Sequence, residues 1–146
     1  MVTSSHSIEI EVPVEVAFEF LTKIDNYPLW QAGVSELHAT DGFNPGSIIT
    51  FTSMGLGKTF NLTAHIIDND GKTGFRAISN QGPITFNSSY KIRPTKAGCR
   101  VQLTNNIETA SLFSLAEPAL QAIANSRYES DLKTLKIVLE STYALK

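Results

Sequence analysis

Residues 111–146 read SLFSLAEPALQAIANSRYESDLKTLKIVLESTYALK, and this stretch decides the fold. Tyr128, Leu132, Leu135 and Leu139 recur at steps of four, three and four, which places them on one face of a helix. Ala116, Leu120, Ile123 and Ala124 continue the stripe towards the N-terminus with smaller side chains. Ser114-Leu115-Ala116-Glu117 matches a capping box, in which two side chains satisfy free backbone N–H groups. Pro118 sits one residue later than ideal, so the helix starts regularly only there or bends there. A long helix with one apolar face needs a second layer to cover it.

The preceding chain supplies a sheet. Turn signals stand at Asp41-Gly42 to Pro45-Gly46, at Gly55 to Lys58, at Asp68 to Gly71, at Asn80 to Pro83 and at Thr95 to Gly98. Between them lie runs rich in Ile, Phe, Thr, Val and Tyr, so residues 34–110 read as six strands joined in hairpins. Phe86, Ser88, Tyr90 and Ile92 alternate with polar residues, as do Val101, Leu103, Asn105 and Ile107. One wet and one covered face is the antiparallel pattern. A further strand spans residues 6–12, with His6, Ile8, Ile10 and Val12 on one side. Pro13 ends it and opens a short helix with Ala17, Phe20, Leu21 and Ile24 on its apolar face, stopped by Asp25-Asn26. Tyr27 to Trp30 begins a second helical turn, closed by Gly33. The expected class is α+β: a seven-stranded curved antiparallel sheet around a C-terminal helix, with two short helices between the first two strands.

Composition narrows the function. A chain of 146 residues without a repeat or linker is expected to form one domain, residues 1–146. Net charge is −2 with both signs scattered, which argues against nucleic acid as a partner and against an anionic membrane surface. No apolar run nears the ~20 residues of a membrane span, so no membrane insertion is expected. The first residues carry no basic group and no apolar core, so no signal peptide is expected and a cytoplasmic protein is the default. A single cysteine, Cys99, cannot make an internal disulfide. The sequence carries no signal for oligomeric state.

The order of strand, two short helices, six strands and long helix resembles the START-like, helix-grip superfamily, and within it the polyketide cyclase/dehydratase-like branch. The segments that carry the resemblance are Ile10-Glu11-Val12-Pro13-Val14-Glu15-Val16-Ala17-Phe18, Asn26-Tyr27-Pro28-Leu29-Trp30 and Gly46-Ser47-Ile48-Ile49. Tyr90-Lys91-Ile92-Arg93-Pro94 and the helix from Leu132 to Glu140 complete them. The resemblance implies a deep apolar cavity between sheet and helix, and hydrophobic ligands such as lipids, sterols and polyketides. It brings no universal catalytic motif, so no catalytic role passes to any residue.

A curved sheet cannot touch a straight helix along its whole length. Ala116, Ala119, Ala122 and Ala124 are expected to widen the gap at the first half of the helix, placing a pocket over residues 116–127. The other reading of these alanines is helix propensity and close packing. Ser88 and Asn105 occupy inward positions, with Ser53, Ser79 and Thr109 as further candidates; each reads as a ligand hydrogen bond or as a bond to a neighbouring strand or buried water. Trp30 reads as a lip over the mouth or as a packing plug. Phe51, Phe75, Phe86, Tyr90, Leu103, Leu120 and Ile123 are core residues that become pocket wall if a cavity exists. Arg127 reads as a partner for an anionic ligand group, or as a rim arginine bonded to Glu108 or water.

Catalytic patterns are thin. His6, His38 and His65 are scattered without metal-ligand spacing, and no nucleophile elbow is present, so neither metal nor cofactor is expected. Asp68-Asn69-Asp70-Gly71 reads as a hairpin turn, since the terminal acidic residue of a calcium loop is replaced by Ser79. Three functions follow. The first is carriage or sensing of a small hydrophobic molecule without chemistry. The second is a polyketide cyclase/dehydratase-type enzyme using the same cavity. The third is a groove for a protein partner's apolar segment. The lack of a clustered acid–base pair favours the first over the second. Two or more titratable side chains converging in the cavity would favour the enzyme.

Overall fold

The computed structural model describes residues 2–55, 57–80, 82, 84–108 and 117–144. The strands are β1 (Val2–Ile10), β2 (Val34–Ala39), β3 (Ile48–Gly55), β4 (Lys58–Asn69), β5 (Gly74–Ser79), β6 (Thr85–Pro94) and β7 (Cys99–Glu108). Helix α1 covers Val14–Leu21, a 3₁₀ helix covers Ile24–Leu29, and α2 covers Glu117–Ala144. The sheet order is β1-β7-β6-β5-β4-β3-β2, all antiparallel, so β2 to β7 form a meander and β1 adds to β7. The expected helix-grip architecture is therefore present.

Two local expectations are corrected. β1 begins at Val2, not at residue 6. Thr3, Ser5 and Ser7 are exposed while Val2 and Ser4 turn inward, so the alternation runs through residues too polar to advertise a strand. Asp25-Asn26 does not stop the first helix but lies within the 3₁₀ helix. The stop is Thr22, whose hydroxyl donates to the Phe18 carbonyl at 2.8 Å. The Asn26 side chain and the Tyr27 hydroxyl then satisfy the carbonyls of Phe20 and Leu21. The capping box from Ser114, the start of the long helix at Ser111, and Ala116 and Thr109 lie outside the described residues. Pro118 sits in the first turn of α2, where its missing N–H costs nothing.

The second half of α2 anchors the fold. Leu132, Leu135 and Leu139 are almost fully buried and join Ile10, Val12, Ala17 and Leu21 in one core. Each such leucine contributes ~1.5–3 kcal/mol of burial. The same helix covers the edge of β1. The Gln121 side chain pairs with both the N–H and the carbonyl of Thr3. Lys136 donates to the Glu9 carbonyl at 2.9 Å, and Glu140 accepts from the Glu11 N–H at 2.8 Å. An uncovered strand edge is a template for wrong pairing, and three side chains of α2 remove it here.

At the far edge, β2 carries a bulge. Its register with β3 shifts between Ser35 and His38, and Glu36 adopts a positive φ of 53°. Val34 and Leu37, three residues apart, consequently both face the interior.

The β4–β5 turn is built on Asp70, whose carboxylate accepts from the N–H groups of Lys72, Thr73 and Gly74 and from the Thr73 hydroxyl. These bonds favour the charged form, so its carboxyl is held well below the ordinary 3.8. A depressed carboxylate stabilises the fold fully above its unfolded value and loses that contribution as pH falls below it. In Asp70→Asn the stability difference from wild type should be constant above pH ~5 and shrink below pH ~4. Urea titrations at several pH values measure this, and a pH-independent difference would contradict it.

Candidate functional site

Between the concave face of the sheet and the first half of α2 lies a cavity of about 300 Å³. Its sheet-side wall is mostly apolar, running from Val34 and Leu37 on β2 across Phe51, Leu62 and Ala77 to Phe86 and Ile107. From α2 it is faced by Leu120, Ile123, Ala124, Arg127, Tyr128 and Asp131. Steps of three and four put these residues on one helical face. Ala119 and Ala122 are exposed, off that face, so they do not widen the gap as expected. Among the described residues, the alanines that line the cavity are Ala124 on the helix and Ala64 and Ala77 on the sheet.

One end of the cavity is closed by aromatic rings. Phe75 stacks on Tyr90 at 4.5 Å, Phe43 meets Phe75 edge-on at 5.1 Å, and Tyr27 stacks on Phe43 at 5.7 Å. Trp30 sits behind this layer, edge-on to Tyr90, 2% exposed and outside the lining. It is a plug, not a lip over the mouth. Leu103, opposite Tyr90 on β7, is likewise packed in the core and off the wall. Phe51, Phe75, Phe86, Ser88, Tyr90, Asn105, Leu120, Ile123 and Arg127 all face the cavity. So does Ser53, whereas the buried Ser79 does not.

Polar groups stand at two places in this apolar space. On the sheet, the Ser88 hydroxyl donates to Asn105 Oδ1. Among the described residues the Asn105 amide nitrogen has no partner, although the residue is only 4% exposed. One end of the Asn105 amide is therefore bonded to the neighbouring strand, and the residue itself lines the cavity.

The second place was not singled out from the sequence. Gln31 donates to the Tyr90 hydroxyl at 3.1 Å, and Tyr128 and Asp131 approach from α2. Burial pushes the Tyr128 hydroxyl up to about 12 and also raises those of Tyr27 and Tyr90 above the ordinary tyrosine value, so all three are neutral. Asp131 is 5% exposed, and burial raises its carboxyl above 3.8; the Ala32 N–H at 3.2 Å and the Arg127 charge partly counter this. The signal was present, because residue 131 lies three after Tyr128 and four before Leu135, an apolar phase occupied by an acid.

Arg127 lines the cavity and is bonded to backbone. Its guanidinium donates to the backbone carbonyls of Met54, at 3.1 Å, and Ala32. Gly33 makes this possible: its φ is +76°, and a Cβ there would stand 2.7 Å from the Met54 oxygen. The arginine thus ties α2 to β3 and to the loop before β2.

The remaining chemical candidates lie elsewhere. The Cys99 thiol is buried and raised by desolvation, an inert environment. His6 contacts Asn125 at 3.4 Å on the β1 side of α2. Among the described residues no three His, Cys, Asp or Glu side chains gather as a metal site would require, and no helix is long and apolar enough to cross a membrane.

Comparison with known proteins places this geometry. The model of a family described as polyketide cyclase / dehydrase and lipid transport matches residues 1–140. No curated protein matches the sequence. Among solved structures, TTHA0849 from Thermus thermophilus superposes with a TM-score of 0.80 at 18% identity, covering 97% of both chains. A START superfamily protein from Mycobacterium smegmatis does so with a TM-score of 0.80 at 15% identity, covering 96% of this chain and 98% of that one. The di-domain ARO/CYC StfQ of the steffimycin biosynthetic pathway matches at 0.76 and 12% identity, over 98% of this chain and 52% of its own. At these identities the likeness is one of fold.

Proposed function

This chain belongs to the polyketide cyclase / dehydrase and lipid transport family, and from that premise we propose that it binds a small, mostly apolar molecule between its sheet and α2. The observation that carries this is the cavity itself, about 300 Å³ and walled chiefly by aromatic and aliphatic side chains. That volume is at the low end of small-molecule sites, so the ligand is compact, closer to a fused-ring aromatic than to a two-chain lipid. Asn105 supplies the donor that a ligand carbonyl would take. Arg127, spent on backbone carbonyls, holds the wall in place and does not recruit an anion.

Native mass spectrometry of the purified protein, then a thermal-shift screen of sterols, fatty acids and aromatic polyketides, tests the proposal. A ligand at 100 times its Kd adds ~2.7 kcal/mol to the apparent stability. Asn105→Leu should weaken carbonyl-bearing ligands about tenfold, the cost of one lost hydrogen bond and a filled site. If it raised stability and left uptake unchanged, Asn105 would be purely structural. No co-purified mass and no shift with any class would refute the cavity reading.

A second reading, an enzyme of the cyclase/dehydratase type, gains support from Asp131 beside Tyr128 and Tyr90. Titratable groups do converge at that end, and a neutral phenol next to a raised carboxyl suits proton transfer to and from an enolising carbonyl. A bound polyketide whose mass falls by one water during incubation, and stays constant with Asp131→Asn, would favour the enzyme over the carrier.

A further inference from the structure

The α2 wall of the cavity leaves hydrogen-bonding capacity unspent. Of the two Asp131 oxygens only Oδ1 has a partner, the Ala32 N–H at 3.2 Å. Oδ2 has none among the described residues, yet it is not sealed in protein, and Asp131 lines the cavity. The Tyr128 hydroxyl, one turn earlier on the same face, also has no partner among the described residues. Arg127 acts on Asp131 through its charge, since its guanidinium is spent on the carbonyls of Ala32 and Met54.

An unpaired acceptor beside an unpaired donor, both on a largely apolar wall, makes a specific demand, because a buried polar group without a partner is costly. A ligand carbonyl would satisfy Tyr128 and leave Asp131 facing another acceptor. An ammonium would satisfy Asp131, leave the Tyr128 proton without an acceptor, and add a cation near Arg127. A hydroxyl meets both, accepting from Tyr128 while donating to Asp131. We infer that the molecule held in this cavity presents a phenolic or alcoholic hydroxyl to Tyr128 and Asp131. The inference rests on the cavity reading above and adds the chemical class of its occupant: an apolar body with a hydroxyl towards α2, and an acceptor towards Asn105 on the sheet.

Four probes of similar size test it by calorimetry: 2-naphthol, 2-methylnaphthalene, 2-acetonaphthone and 2-naphthylmethylammonium. Wild type should bind 2-naphthol about tenfold or more tightly than 2-methylnaphthalene, the worth of one hydrogen bond to a carboxylate, and the ammonium more weakly than 2-naphthol. In Asp131→Asn the amide oxygen keeps the Ala32 N–H and the NH₂ turns to the cavity. The preference for 2-naphthol should then fall to near unity, and 2-acetonaphthone should gain. Tyr128→Phe, which leaves the carboxylate in place, should reduce the preference by about half an order of magnitude, and it serves if the Asp131 variant fails to fold. Equal wild-type affinities for 2-naphthol and 2-methylnaphthalene, or an unchanged preference in the variants, would overturn the hydroxyl inference while leaving the cavity reading intact. Tighter binding of the ammonium would overturn it in favour of a cation site. Binding of none of the four would overturn this inference, and, joined to a blank screen of sterols, fatty acids and polyketides, would refute the cavity reading with it.

Discussion

Gly98→Ala is expected to destabilise the fold by about 3 kcal/mol or more, the upper range of overpacking substitutions. Gly98 closes the β6–β7 turn, where its carbonyl accepts from the Thr95 N–H and its own N–H donates to the Thr95 hydroxyl. The chain leaving β1 passes directly over it. An added Cβ would stand 2.2 Å from the Ile10 oxygen, 2.8 Å from the Val12 nitrogen and 2.9 Å from the Glu11 Cα. All three are backbone atoms, so no side-chain rotation relieves the clash. Either β1 lifts from β7 or the turn opens, and both moves disturb Ile10, Val12 and Cys99, each at most 1% exposed. Gly42→Ala is the control. A Cβ at Gly42 meets nothing within 4 Å, and its φ of +56° alone costs ~1–2 kcal/mol. Urea midpoints at unchanged m-value read both effects. A Gly98→Ala midpoint no lower than that of Gly42→Ala would show that the strand and turn are less tightly packed than the structure has them.

The same junction explains what the sequence could and could not reveal. The seven strands were legible because turn residues recur between runs of alternating apolar residues, and α2 because leucines three and four apart share a face. The first residues of β1 were not, since Thr3, Ser4 and Ser5 carry no apolar signal; their strand is specified by pairing with β7 and by Gln121 from α2. The bulge at Glu36, which turns Leu37 inward, has no local signature of its own. In the site, alternation along β6 and β7 placed Ser88 and Asn105 facing the cavity. The partners of Arg127 are backbone carbonyls, which have no residue type and so leave no signal in a sequence. Asp131 was overlooked because a helical acid is ordinarily solvated, and only its phase against Tyr128 and Leu135 marks it as inward.

Ala124→Phe is expected to abolish ligand uptake, lowering affinity about 100-fold or more, or ~2.7 kcal/mol, while slightly stabilising the empty protein. Ala124 faces the cavity midway between Leu120 and Tyr128, so a ring built there enters the space that a ligand would fill. In the absence of ligand that ring covers apolar surface, and cavity filling of this kind gives roughly 0.5–2 kcal/mol. A rise in melting temperature together with loss of binding is therefore the expected signature, and it separates a filled site from a damaged fold. Ala122→Phe is the matched control: the same change two residues earlier, on the exposed face of α2, should leave affinity unaltered. Calorimetry with 2-naphthol and thermal melts of both variants suffice. Undiminished binding by Ala124→Phe would move the ligand out of this cavity. Loss of binding by Ala122→Phe as well would mean that α2 shifts as a body, and that the wall made by Tyr128 and Asp131 depends on the position of the whole helix as much as on the phase of its residues.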